Sequence, residues 1–174
     1  IGHSVGALIL GMNKGSEIFE KFCFVATQNT YFGHLSPRIK MLGLLGFGLY
    51  QPVLTRVKGY FKTYFVNLGE SLPKGVSDDW RTLIMNRKSV NRLLEKTENF
   101  SKNLHQEVLY LNMQDDDWIT ETGMKLLMNE TYVNMKPIYR TVYPHESNGE
   151  EIGHINFFRA KHSKLWSMVF DWFS

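Results

Sequence analysis

Ile1-Gly2-His3-Ser4-Val5-Gly6-Ala7-Leu8-Ile9-Leu10 opens the chain and carries a Gly-x-Ser-x-Gly pattern within its first six residues. An apolar residue stands before the pattern, and a small apolar run from Val5 to Met12 follows it. That order reads as strand, sharp turn and helix, with Ser4 on the turn. The two glycines have a steric reading. A serine held on a strained turn so that its hydroxyl projects needs neighbours whose side chains would not collide with nearby backbone. Gly6 and Ala7 leave room for the helix to approach the strand, and Lys14-Gly15 ends the segment. Such a pattern arises by chance in roughly one chain in twenty or thirty of this length at average glycine usage, so its surroundings must carry weight.

Only Ile1, Gly2 and His3 precede Ser4, fewer than the roughly four to eight residues of a buried strand, and the first residue is not Met. The expectation is a fragment whose upstream half, including most of the strand that feeds the turn, is missing.

Working outward, Phe22 to Thr27 reads as a short buried strand bounded by Gln28-Asn29. From about Tyr31 to Phe100 the texture is helical. Pro37 opens a pattern through Ile39, Leu42, Leu45 and Leu49, and Pro52 begins a second through Val53, Leu54, Val57, Tyr60, Phe61, Tyr64 and Phe65. A turn follows at Leu72-Pro73-Lys74-Gly75, and Ser77 can cap a helix through Trp80, Leu83 and Ile84. No strand is expected in this block. Strand texture returns over Glu107–Met113, which runs into Asp115-Asp116-Asp117. Thr120 then caps a helix with Met124, Leu127 and Met128. Tyr139 to Tyr143 is a further strand candidate. A closing helix from about Ser163 to Phe173 carries Leu165, Trp166, Val169, Phe170 and Phe173 as one stripe. Alternating strands and helices predict a mostly parallel sheet with helices on its faces. The predicted organisation is a core segment over 1–30, an inserted helical cap over 31–100, and a C-terminal core segment over 101–174.

Composition bounds the function. With 174 residues, 43% hydrophobic and 21% charged, the chain suits one globular domain with a real core. A net charge of +3, with the positives scattered among acids, argues against nucleic acid as a partner. The lone Cys23 lies in an apolar run, Phe22-Cys23-Phe24-Val25, and reads as a buried thiol. A single cysteine excludes an intrachain disulfide framework, which fits a reducing, cytoplasmic setting. The longest apolar run, Met41 to Tyr50, is half of the roughly twenty residues a membrane span needs.

A serine nucleophile needs a base, and the base needs an orienting acid. The chain supplies them in the order Ser, Asp, His. The acid cluster falls at the C-terminal end of a strand, where α/β sheets place functional groups. His154, in Glu151-Ile152-Gly153-His154-Ile155-Asn156, follows the last strand on a loop that the glycine lets turn. The candidate catalytic residues are therefore Ser4, one of Asp115, Asp116 and Asp117, and His154, with the Val5 amide as oxyanion donor. Donors preorganised at such a point contribute about 3 kcal/mol each. His3 sits within the turn and reads as its support. His145 is the runner-up base, and His34, His105 and His162 read as loop or surface residues. His145 and His154 beside Glu146, Glu150 and Glu151 form only a faint metal pattern, so neither metal nor cofactor is expected.

Three segments resemble a bacterial group of predicted α/β hydrolases: Ile1-Gly2-His3-Ser4 with Gly6; Leu68-Gly69-Glu70-Ser71-Leu72-Pro73-Lys74-Gly75-Val76 running to Asp79-Trp80; and Ile152-Gly153-His154 with Phe157-Phe158-Arg159. The resemblance implies the C-terminal part of an α/β-hydrolase fold, with Ser4 as nucleophile and His154 as base. Its acid lies in an Asp-Asp pair after the strand that matches Val108–Met113, which favours Asp116. Thr120 replaces the usual proline after the acid, and Ala7 stands where glycine is common. Within the middle segment, Trp80 reads as packing the cap and Glu70 or Asp79 as capping a helix.

The resulting expectation is a serine hydrolase that cleaves an ester or similar acyl bond through an acyl-enzyme. Its partner would be a small acyl substrate with a hydrophobic part, favoured by an apolar helical roof, and self-association as a homo-oligomer is compatible with this. The competing expectation is a non-catalytic hydrolase-like binding domain, or an inactive fragment lacking its N-terminal half and second oxyanion donor; on the hydrolase reading too, the fragment alone is expected to show little or no turnover.

Overall fold

The computed structural model describes residues 1–64 and 70–174. Phe65 of the second helical pattern, and Leu68 and Gly69 of the middle segment, lie outside the described residues. The chain divides into two compact units, Ile1–Gln28 with Glu98–Ser174, and Asn29–Thr97. Strands among the described residues are β1 (Gly2–His3), β2 (Lys21–Val25), β3 (Tyr60–Phe61), β4 (Leu72–Pro73), β5 (Glu107–Met113) and β6 (Lys136–Val142). The α-helices are α1 (Val5–Leu8), α2 (Pro37–Gly43), α3 (Gln51–Lys58), α4 (Lys74–Met85), α5 (Val90–Leu94), α6 (Glu121–Glu130) and α7 (Ser167–Phe173).

In the first unit, β1, β2, β5 and β6 form one parallel sheet in that order. This is the mostly parallel, helix-flanked α/β architecture that the alternation predicts. The register sets Gly2 beside Phe24, Val25 beside Leu111, and Leu111 beside Arg140. Phe22 to Val25 and Val108 to Leu111 are buried on both faces, so these strands read as unbroken apolar runs rather than alternating ones. One face packs Cys23, Val25, Leu111, Met113 and Val142 against Ile152, Phe157, Leu165 and Val169. On the other, Phe24 meets Tyr110 and Tyr132 with ring centroids 5.8 and 5.5 Å apart.

Strand β6 begins three residues earlier than the Tyr139 start read from sequence. As the last strand in the order it tolerates Pro137, and it leaves Ile138 and Tyr139 half exposed, which blurs its apolar signal. Thr120 does cap α6, its hydroxyl accepting from Gly123 N–H at 3.1 Å. The closing helix differs from expectation. A 3-10 stretch, Ala160–Trp166, precedes α7; Leu165 and Val169 are buried, whereas Phe170, one residue and about 100° around α7 from Val169, and Phe173 in its last turn are exposed.

The second unit is helical, as its texture predicts, with two departures. The helices opened by Pro37 and Pro52 are one continuous right-handed run, joined by a π-helical segment over Leu44–Tyr50. Pro52 has no N–H and its ring crowds the carbonyl one turn back, so the helix widens there instead of stopping. Gly59, at φ 75°, then ends α3 and turns the chain into a small antiparallel pair, β3 with β4, that the sequence does not announce. Helix α4 starts at Lys74 after Pro73, not at Ser77. Ser77 lies buried inside its first turn, donating to the Lys74 carbonyl and accepting from Gln51 Nε2. Phe47, Phe61 and Ile84 form this unit's core, with Trp80 stacked on Phe47.

Candidate active site

Ser4 stands on a strained turn between β1 and α1, with φ 50° and ψ −122°. Non-glycine residues avoid this region, at a cost of order 1–3 kcal/mol, unless their surroundings hold them there. The surroundings here are specific. Ser4 N–H donates to the Val25 carbonyl at 3.0 Å, and the Ser4 carbonyl accepts from Thr27 Oγ1 at 2.8 Å and from Ala7 N–H at 3.2 Å. A Cβ on Gly2 would come within 2.8 Å of Ala7 Cα, so glycine there is what lets α1 fold back against β1. Gly6 is different from the reading of the sequence: it faces open space, and no steric demand falls on it. Tyr132 fixes the following helix, accepting from Gly11 N–H at 3.1 Å and donating to the Ala7 carbonyl at 2.6 Å. Ser4 occupies the N-cap position of α1, yet its hydroxyl makes no cap bond. Val5 begins α1, so its amide is among the first-turn N–H groups that have no acceptor within the helix.

The loop after β5 carries the acids. Asp116 is buried, its side chain fully shielded from solvent; one carboxylate oxygen accepts from Trp118 N–H at 2.8 Å and the other lies 2.9 Å from His154 Nδ1. Asp115 serves the neighbouring loop instead, with its two oxygens accepting from Ile152 N–H at 2.8 Å and Gly153 N–H at 3.0 Å. Gly153, at φ 53°, turns the backbone there and brings the His154 ring inward.

His154 Nε2 lies 2.9 Å from Ser4 Oγ. With Nδ1–H donating to the carboxylate, Nε2 is left as acceptor for the serine hydroxyl, the tautomer that this hydrogen-bond network assigns. The His154 carbonyl accepts from His3 Nε2 at 2.8 Å, so His3 supports the loop from the strand, as its position in the turn suggests. Trp118 lies beside the His154 ring, with centroids 5.9 Å apart, and Phe158 stands edge-on to His3.

Ser4, His154 and Asp116 are thus brought together in one hydrogen-bonded line. His145 is not in it; it is exposed after β6 and stacks on Tyr143. His162, expected at the surface, is fully buried, bonded to Ser147 Oγ at 3.0 Å and to the Glu151 carbonyl at 3.2 Å. With both ring nitrogens meeting polar partners in a buried setting, His162 serves as a core strut. Among the described residues no three His, Cys, Asp or Glu side chains come together as a metal site. Cys23 is buried, and desolvation pushes its thiol up to about 11.

One supporting residue escapes a motif-based reading altogether. Gln28, almost completely buried, donates through Nε2 to the Trp118 carbonyl and accepts from Thr120 N–H at 2.9 Å through Oε1. It ties the chain leaving β2 to the acid loop. A run of amide side chains just past a fully buried parallel strand is the signal that points to such a tie.

No protein-family model matches the chain, and no curated protein matches it. Among solved structures, the chain is similar to an enzyme that degrades N-acyl homoserine lactones, with 12% identity over 99% of this chain and a TM-score of 0.46. It is similar also to a thioesterase domain from the curacin biosynthetic pathway, at 11% identity over 97% of this chain and a TM-score of 0.42. A third is a bromoperoxidase from Bacillus anthracis, at 14% identity over 99% of this chain and a TM-score of 0.42. The chain spans 66%, 64% and 65% of the length of these three chains.

Proposed function

We propose that the chain carries the active site of a serine hydrolase that cleaves an ester or similar acyl bond. The observation that carries this reading is the line Ser4 Oγ, His154, Asp116, with 2.9 Å at each link and the acid sealed from solvent. In the proposed reaction, Ser4 Oγ attacks the acyl carbon while His154 Nε2 takes the hydroxyl proton. Asp116 accepts from Nδ1–H and so keeps Nε2 free as the base. The tetrahedral oxyanion would rest at the Val5 amide. His154 then returns the proton to the leaving alcohol or thiol, and a water activated by the same nitrogen releases the acid from the acyl-enzyme.

Two features beyond the triad support the reading. The Ser4 hydroxyl is spared the capping bond that a serine in its position usually makes, so it is available to His154. The aromatic faces of Trp118 and Phe158 beside the two histidines fit a substrate with a hydrophobic part. The test is turnover of p-nitrophenyl esters of increasing acyl length by the wild type and by His154→Ala. Ester cleavage that rises with acyl length and falls about 10⁴-fold or more in the variant supports the proposal. Cleavage indifferent to His154→Ala would sink it.

A further inference from the structure

The net charge of +3 conceals a division. Eleven of the twenty Lys and Arg but only four of the seventeen Asp and Glu fall in Asn29–Thr97, so that unit carries +7 while the rest of the chain carries −4. No acid occurs between Glu20 and Glu70. Along the helical run Pro37–Lys58, one face supplies the unit's own interior through Ile39, Phe47, Gln51 and Thr55. The other exposes Met41, Leu45, Leu49, Val53 and Val57, each 54–76% accessible.

Four-residue spacing in a regular α-helix advances about 40° per step and would wind five such positions well around the axis. The wider π-helical turns over Leu44–Tyr50 take up that drift, so the five side chains stay on the outer face over about 24 Å. Exposed Arg38 precedes Met41 by one turn, and exposed Arg56 and Lys58 flank Val57 at the other end. A long apolar stripe bracketed by cations, without an acid on the same run, is the pattern of an element that lies in a lipid interface.

We infer that the outer face of Pro37–Lys58 docks the protein on an anionic lipid bilayer. The apolar side chains enter the headgroup–acyl boundary, and Arg38, Arg56 and Lys58 meet the anionic headgroups. The helix lies on the surface, since no helix of the described residues is long and apolar enough to cross a membrane. The charge division favours this occupant over a second copy of the chain, because two faces from units of +7 would repel.

The test is cosedimentation of the protein with vesicles of phosphatidylcholine alone and of phosphatidylcholine mixed with phosphatidylglycerol, at low and high salt. Binding is expected on the mixed vesicles and is expected to weaken with salt. Each cation near an anionic surface favours partitioning about fivefold, so Arg56→Gln with Lys58→Gln should lower it about 25-fold. Leu45→Asp with Leu49→Asp should reduce it to background, and both double variants should keep the wild-type unfolding temperature because their sites are exposed. No sedimentation of folded wild type with the mixed vesicles would overturn the inference. So would a concentration-dependent dimer, seen by analytical ultracentrifugation and dissolved by Leu49→Asp, in a protein that ignores vesicles.

Discussion

Two serines in this molecule share one strained backbone and differ in everything else. Ser4 has φ 50° and ψ −122° before α1; Ser89 has φ 44° and ψ −120° before α5. Ser4 is partly accessible, and its hydroxyl faces the nitrogen of a histidine whose other nitrogen meets a buried carboxylate. Ser89 is fully buried, and its hydroxyl is spent on Thr30, lying 3.1 Å from Thr30 Oγ1 and accepting from Thr30 N–H at 3.2 Å. The turn therefore does not make a nucleophile. It aims a hydroxyl, and the partner decides whether that hydroxyl is a reagent or a brace.

Removing each hydroxyl in turn separates the two serines. Ser4→Ala should abolish ester turnover, a loss of about 10⁴-fold or more, while Ser89→Ala should leave the rate constant per folded molecule unchanged. The price of Ser89→Ala lies in folding: its Thr30 partners lose a buried bond, and the unfolding free energy should drop by about 1–3 kcal/mol in a denaturant titration. Equal rate losses in both variants would erase the distinction.

The next contrast lies within the acid cluster. Asp116→Asn should slow turnover by about 10⁴-fold, since the amide allows the wrong histidine tautomer. Asp115→Asn leaves the tautomer alone and disturbs the Ile152–Gly153 turn, so steady-state kinetics should show a far smaller loss. A smaller effect still is expected from Gln28→Ala, which removes the tie between the end of β2 and the acid loop. Thermal unfolding should report a destabilisation of about 1–3 kcal/mol, with Ser4 still reactive.

Cys23 supplies the smallest effect, its thiol silenced by burial. Its thiol ionises near 9.0 when exposed and at about 11 in the fold. The folded state thus holds its proton more tightly, so this contribution to stability is present below pH 9 and lost as pH rises toward about 11. Alkylation of the native protein at neutral pH should be negligible and should become complete on unfolding, which a thiol titration checks.

How much of this was legible in sequence depended on whether the signal was local. The buried strands Lys21–Val25 and Glu107–Met113 announce themselves because both faces are apolar, and Thr120 announces its helix by a cap. The turn at Ser4 is legible from Gly2, which the approach of Ala7 demands, though Gly6 proves to bear no such load. Order along the chain, Ser then Asp then His, nominates Ser4, His154 and the Asp115-Asp116-Asp117 cluster, and only the family resemblance favours Asp116 within it. Contacts made by residues far apart were not legible. His162 gives no local hint of its buried bonds to Ser147 and Glu151, nor Tyr132 of its reach to Ala7 and Gly11. The β3–β4 pair rests on two residues a side, too few for a period. Likewise the division of labour between Asp115 and Asp116 depends on which carboxylate the Ile152–Gly153 turn reaches.

Whether Ser4 is the nucleophile is measured most directly by covalent labelling of the folded protein with a fluorophosphonate probe, followed by peptide mapping in a mass spectrometer. A single adduct is expected on Ser4, slowed in His154→Ala and Asp116→Asn and unaffected by Ser89→Ala. An unlabelled Ser4, or an adduct that forms on Ser4 equally well without His154, would contradict that role.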